Sequence, residues 1–144
     1  GLGRIAAVVT WLEGNVAGQD EGVALTILVV EDELAIRELV RDVLQMAGYE
    51  ALTAPNGEEA LREAESYEKP IHLVLTDLIM PGMNGLALSR RLKARQPDIK
   101  VILMSGYGEE RIDEVGGLQA DMAVLEKPFT TTILLSKVRA MLER

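Results

Sequence analysis

Short aliphatic runs alternate with helical stripes along most of this chain. Residues 26–30, 49–54, 71–76, 99–104 and 122–126 are nearly continuous apolar runs of strand length. After the first run, Ile36, Leu39, Val40, Val43 and Leu44 recur at helical spacing, and Gly48 closes the stripe. Asn56 with Glu59 three residues on is a capping-box arrangement that predicts a helix to about Ser66. Residues 85–95 predict a helix whose Arg90, Arg91, Lys93 and Arg95 form a solvated basic face. Residues 109–118 predict a poor helix, weakened by Gly116 and Gly117. Thr130–132 caps a last helix with Leu134, Val138, Met141 and Leu142 on one face. Five such β/α units predict an α/β fold with a parallel sheet covered by helices on both faces. The first, third and fourth runs are the most aliphatic and are expected at its centre. Residues 1–24 stand apart as an N-terminal helix and linker, or the remnant of a preceding domain, ahead of a single domain over 25–144.

Bulk properties narrow the chemistry. The 144 residues suit one domain with a substantial core. With 48% hydrophobic but only 3% aromatic residues, that core must be aliphatic. The absence of cysteine excludes disulfides and thiolate metal sites, and suits a reducing, cytoplasmic compartment. A single histidine, His72, excludes multi-histidine metal centres and argues against a Ser-His-Asp triad. A net charge of −8 argues against a nucleic-acid partner, which needs clustered cations to neutralise phosphates. No apolar stretch approaches the roughly 20 residues needed to span a bilayer, so no direct membrane contact is expected.

The ends of the apolar runs carry polar groups. The first stops at Glu31-Asp32, the third at Asp77, the fourth at Ser105 and the fifth at Lys127-Pro128. In open parallel sheets, ligands bind beyond the carboxyl ends of the strands, where the strand order reverses. Glu31-Asp32 alone would read as acids attracted to a helix N-terminus, Ser105 as a cap and Lys127 as a surface charge. Three carboxylates in one crevice, however, repel one another unless a cation lies between them. All-oxygen ligation suits Mg²⁺, which keeps several waters and shares its coordination with phosphate; Mn²⁺ can substitute. A lysine and a hydroxyl beside such a metal are the groups that bind a transferring phosphoryl group.

Residues 26–144 resemble the receiver domain of bacterial two-component response regulators. The resemblance rests on Val29-Val30-Glu31-Asp32-Glu33, on Leu75-Thr76-Asp77-Leu78-Ile79-Met80-Pro81-Gly82-Met83-Asn84-Gly85, on Met104-Ser105-Gly106-Tyr107 and on Glu126-Lys127-Pro128-Phe129. It implies a doubly wound, flavodoxin-like (βα)5 sheet in the order 2-1-3-4-5. It implies Asp77 as phosphoacceptor, taking the group from phosphohistidine on a histidine kinase or histidine phosphotransfer protein. Glu31, Asp32, Asp77 and the backbone carbonyl of Ile79 are then the metal ligands. Lys127 contacts the phosphoryl oxygens, Ser105 swings inward to them, and the bond before Pro128 is cis. Such a domain is a phosphorylatable switch with self-phosphorylation and autodephosphorylation activity rather than an enzyme proper.

The chain departs from the family pattern in three places. Glu31 stands where Asp is common, and Ser105 where Thr is common. Val124 occupies the position of a switching Tyr or Phe, which puts the usual aromatic readout in question and leaves a homodimer open. Ile79, Tyr107 and Val124 are therefore the expected tuning positions, with Tyr107 placed to shield the phosphoryl group from water. The style of the Ser105 and Lys127 motifs, near the end of the chain, is similar to receivers placed behind hybrid histidine kinases, with no DNA-binding effector expected after the last helix. Two alternatives stay open. One is a degenerate receiver that only binds proteins. The other is a Mg²⁺-dependent aspartyl-phosphate phosphatase, disfavoured because Ile79 stands where that class has a second acid.

Overall fold

The computed structural model describes residues 24–106 and 121–144. The chain order is β1 (Thr26–Val30), α1 (Leu34–Met46), β2 (Glu50–Ala54), α2 (Gly57–Ser66), β3 (Leu73–Asp77), α3 (Gly85–Arg95), β4 (Lys100–Ser105), β5 (Met122–Glu126) and α4 (Thr131–Leu142). The five strands form one parallel sheet in the order β2-β1-β3-β4-β5. This is the doubly wound arrangement expected from the sequence. The most aliphatic strands, β1, β3 and β4, are central, and every residue of β1 and β3 is buried. The edge strands β2 and β5 are only partly buried.

Alternate positions along the strands feed two cores. Leu28, Val30, Val74, Val101 and Leu103 face α2 and α3, where they meet Ala60, Ala64, Leu88 and Leu92. Ile27, Val29, Leu73, Leu75, Ile102 and Met104 face α1 and α4, where they meet Val40, Leu44, Leu134, Val138 and Met141. The period of two in a strand makes this division unavoidable once both faces are covered.

Helix ends follow local chemistry. Asn56, Asn84 and Thr130 each accept a hydrogen bond from the main-chain N–H three residues on. Gly48, at φ +94°, takes the left-handed conformation that ends α1. Residues 1–23 lie outside the described residues, as do the predicted helix over 109–118, Gly116, Gly117 and Tyr107.

Two expectations about helix faces need correction. Leu39 belongs to the predicted apolar stripe of α1 but is 55% exposed. The stripe that packs is Ile36, Val40, Val43, Leu44 and Ala47, and Leu39 lies about 100° around the helix from Val40. Lys93 is not part of a freely solvated face. It is ion-paired with Asp121 and donates to the Ile99 carbonyl at 2.8 Å, tying α3 to the segment that enters β5.

These positions set a contrast in stability. Leu44→Ala, in a fully buried site, is expected to cost about 2–5 kcal/mol, while Leu39→Ala should stay within about 0.5 kcal/mol of wild type. Urea titrations of the two variants measure the difference.

Candidate functional site

The strand order reverses at β1, whose neighbours on either side are β2 and β3. The crevice beyond the carboxyl ends of β1 and β3 is therefore where such a sheet places ligands. Parallel register decides what meets there. Val30 pairs with Thr76, so the next residues of the two strands, Glu31 and Asp77, come side by side. Asp77 pairs with Met104, which puts Ser105 one step beyond it on β4. Ser105 in turn pairs with Glu126, and its carbonyl accepts from Lys127 N–H at 2.8 Å. Four predicted site residues thus reach one edge of the sheet through register alone, and Asp32 follows Glu31 at the turn into α1.

The carboxylates of Glu31, Asp32 and Asp77 each offer an oxygen within 4.8 Å of the others. Glu31 is fully buried, Asp77 is 4% exposed and Asp32 is exposed. Lys127 Nζ lies 2.6 Å from Glu31 Oε1 and 2.6 Å from Asp77 Oδ1. Glu31 Oε2 accepts from Glu33 N–H at 3.1 Å, and Arg37 Nη1 donates to the Glu31 carbonyl at 2.8 Å. Glu31 is thus held from three directions. Asp77 is different. Neither of its buried oxygens accepts a well-directed hydrogen bond from any described residue, so its contact with Lys127 is an ion pair without hydrogen-bond geometry.

Protonation energetics follow this asymmetry. Burial and the adjoining Glu31 carboxylate push Asp77 up to about 7, against the opposing pull of Lys127. Burial also raises Glu31, but its contacts with Asp77, Lys127 and Glu33 N–H outweigh that and bring it to about 2. Burial lowers Lys127, and the two carboxylates more than reverse it, so its pKa is raised. Without another cation, the crevice carries more negative charge than one ammonium neutralises. A buried carboxylate with unsatisfied lone pairs beside two more acids is a donor set that a hard divalent cation fits.

The remaining predicted residues fall into place around this cluster or away from it. Ser105 is buried, with its hydroxyl 3.4 Å from the Gly106 carbonyl. Ile79 follows Asp77 by two residues and its side chain is 63% exposed. Val124 pairs with Leu103 and packs against the core on the α2 and α3 side. The Lys127–Pro128 bond is cis, as the resemblance implied. His72 lies at the opposite end of the sheet, where its Nδ1 accepts from Thr26 N–H at 3.0 Å. Sequence reasoning did not single out Arg37. Its only sequence signal is a cation one turn into the helix that follows the acidic pair.

Comparison with known proteins places the chain in a family. The family model described as the response regulator receiver domain matches residues 27–139. The chain is 39% identical over 119 residues to the sensor kinase CckA of Brucella abortus, covering 83% of this chain and 13% of that protein. It is 33% identical over 116 residues to the response regulator receiver protein CpdR of the same organism, covering 81% of this chain and 95% of that one. Among solved structures, the receiver domain from the hybrid histidine kinase CckA superposes with a TM-score of 0.69 at 34% identity. That match covers 81% of this chain and 98% of that domain. Among the described residues, no helix is long and apolar enough to cross a membrane. On the match of fold, family model and full-length relative, this chain belongs to the response regulator receiver domain family of two-component signalling.

Proposed function

We propose that the domain over residues 25–144 is a phosphoacceptor in a phosphorelay, taking a phosphoryl group onto Asp77 from the phosphohistidine of a histidine kinase or histidine phosphotransfer protein. The observation that carries this reading is Asp77 itself. It is a buried carboxylate that accepts no well-directed hydrogen bond from a described residue, set between two acids and one lysine at the sheet's switch point. A structural acid in that position would have its oxygens satisfied.

In this reading Asp77 attacks phosphorus through one carboxylate oxygen. The bond from phosphorus to the donor imidazole nitrogen breaks, and the electron pair leaves with the imidazole. Lys127 starts between Glu31 and Asp77 and follows the charge onto the phosphoryl oxygens, where its ammonium offsets their repulsion with the attacking anion. Ser105, at the end of the neighbouring strand, donates a hydrogen bond from its hydroxyl to a phosphoryl oxygen once the acyl phosphate has formed. Asp32, Asp77, Glu31 and the carbonyl of Ile79 are the groups that would hold Mg²⁺. When bound, the ion supplies the positive charge that lets two anions meet. Glu31 continues to accept from Glu33 N–H, which orients the acidic pair. The acyl phosphate is labile, and its slow hydrolysis is the autodephosphorylation that resets the switch.

A protein partner is supported by the surface beside the crevice. Leu34 (57% exposed) opens α1, Ile79 (63%) follows β3, and Ile133 (49%) lies in the first turn of α4. The site thus has apolar residues at three of the segments that leave its edge. The relatives differ in what accompanies their receivers, since the chain spans 13% of the sensor kinase CckA and 95% of CpdR. Placement behind a hybrid histidine kinase remains our proposal for the parent protein.

The direct test is intact mass after incubation with Mg²⁺ and acetyl phosphate. One added phosphoryl group is expected in wild type and none in Asp77→Asn. An unlabelled wild type would make the domain a degenerate, protein-binding receiver, and sustained release of phosphate from unrelated esters would make it a phosphatase. Stability gives two further tests. Asp77→Asn removes a buried like charge, so it should raise the Tm of the metal-free protein and abolish the Tm increase that Mg²⁺ produces in wild type. Lys127→Ala leaves Glu31 and Asp77 uncompensated and is expected to cost about 3 kcal/mol without metal. Scanning calorimetry should show Mg²⁺ restoring a larger share of stability in that variant than in wild type.

A further inference from the structure

We propose that Gly85 is a positioning residue for the phosphoacceptor, because its bare Cα lets the start of α3 seat directly against the main chain of Asp77. The inference rests on the assignment of Asp77 and its metal ligands given above. A Cβ built at Gly85 would lie 2.3 Å from the Asp77 carbonyl oxygen, 3.1 Å from its carbonyl carbon and 3.1 Å from Leu78 Cα. All three atoms are backbone, so no side chain can rotate out of the way. Gly85 does not have positive φ, so its backbone conformation is open to any residue. Only the close approach demands glycine.

Neither side of this contact can yield cheaply. Asp77 and Leu78 are held by the sheet, where Leu78 N–H donates to the Met104 carbonyl at 2.9 Å. The Asp77 carbonyl also accepts from the buried Thr76 hydroxyl at 3.0 Å. On the other side, Gly85 N–H donates to the Leu78 carbonyl at 2.8 Å, and Asn84 caps the helix through Ala87 N–H at 2.8 Å. Leu86, Leu88 and Leu92 bury the helix in the core. A methyl group at residue 85 must therefore turn the Asp77–Leu78 peptide or lift the helix start by about 1 Å, and a misplacement of about 1 Å at a reacting group costs on the order of 10²-fold. That peptide lies between the Asp77 carboxylate and the Ile79 carbonyl, so both proposed metal ligands move with it.

Gly57 supplies the control. It also opens a helix, and a Cβ there would also be crowded, at 3.0 Å from Met83 Cβ and 3.1 Å from Met83 Sδ. Met83 must give by a few tenths of an ångström there, and the crowding falls on its side chain and not on the main chain of Asp77.

The experiment compares wild type, Gly85→Ala and Gly57→Ala by Mg²⁺ titration calorimetry, acetyl phosphate labelling, thermal melting and the backbone amide shifts of Asp77 and Leu78 in the metal-free protein. Gly85→Ala is expected to weaken Mg²⁺ binding and slow labelling by at least about tenfold, with displaced Asp77 and Leu78 amides. Gly57→Ala should stay within about twofold of wild type in both functions. Wild-type Mg²⁺ affinity in Gly85→Ala, or equal losses in the two variants, would overturn the proposal. So would a Gly85→Ala protein that does not fold, because the glycine would then serve the fold as a whole. A wild type that neither binds Mg²⁺ nor becomes labelled would refute the phosphoacceptor reading instead, and the metal-free amide shifts would still decide the role of Gly85.

Discussion

The Lys127 ammonium, 2.6 Å from a carboxylate oxygen on each of Glu31 and Asp77, makes a crevice of buried acids tenable in the folded chain. Removing a carboxylate from water costs several kcal/mol unless a countercharge accompanies it. Here one cation is divided between two buried anions, with a third, exposed acid beside them. That division leaves Glu31 well satisfied and Asp77 poorly so. The imbalance keeps a carboxylate inside the protein whose lone pairs accept no well-directed hydrogen bond from a described residue.

The rest of the fold brings that group of charges together and holds it still. The sheet order places β1 and β3 side by side, and register then aligns Glu31 with Asp77 and carries Ser105 and Lys127 to the same edge. The two aliphatic cores clamp the central strands from both faces, so the strand ends have little freedom to spread. Electrostatic cost at one edge of the sheet is thus offset by apolar packing along its length.

Much of this was legible in the sequence because its causes are local or periodic. Runs of aliphatic residues ending in Glu31-Asp32, Asp77, Ser105 and Lys127 announce both a buried parallel sheet and a functional edge. The caps at Asn56 and Thr130 mark their helices through short-range hydrogen bonds. What could not be read depends on three-dimensional fit. Leu39 satisfies the helical pattern of apolar residues, yet its angle carries it past the rim of the core. Lys93 resembles its solvated neighbours until the start of β5 brings Asp121 to it. Gly85 reads as an ordinary residue at a helix start, and only the packed structure reveals what a side chain there would strike.

The two ends of α3 bear on different parts of the molecule. At its start Gly85 rests against the Asp77 main chain, and two turns later Lys93 is moored to Asp121 and to the Ile99 carbonyl. The helix is therefore a strut of fixed length between the acidic edge of the sheet and the entrance of the last strand. Deleting or inserting one residue between these points would rotate one end against the other by about 100°, so that only one mooring could be kept. The spacing between Gly85 and Lys93 is thus a constraint in its own right, independent of which residues fill it.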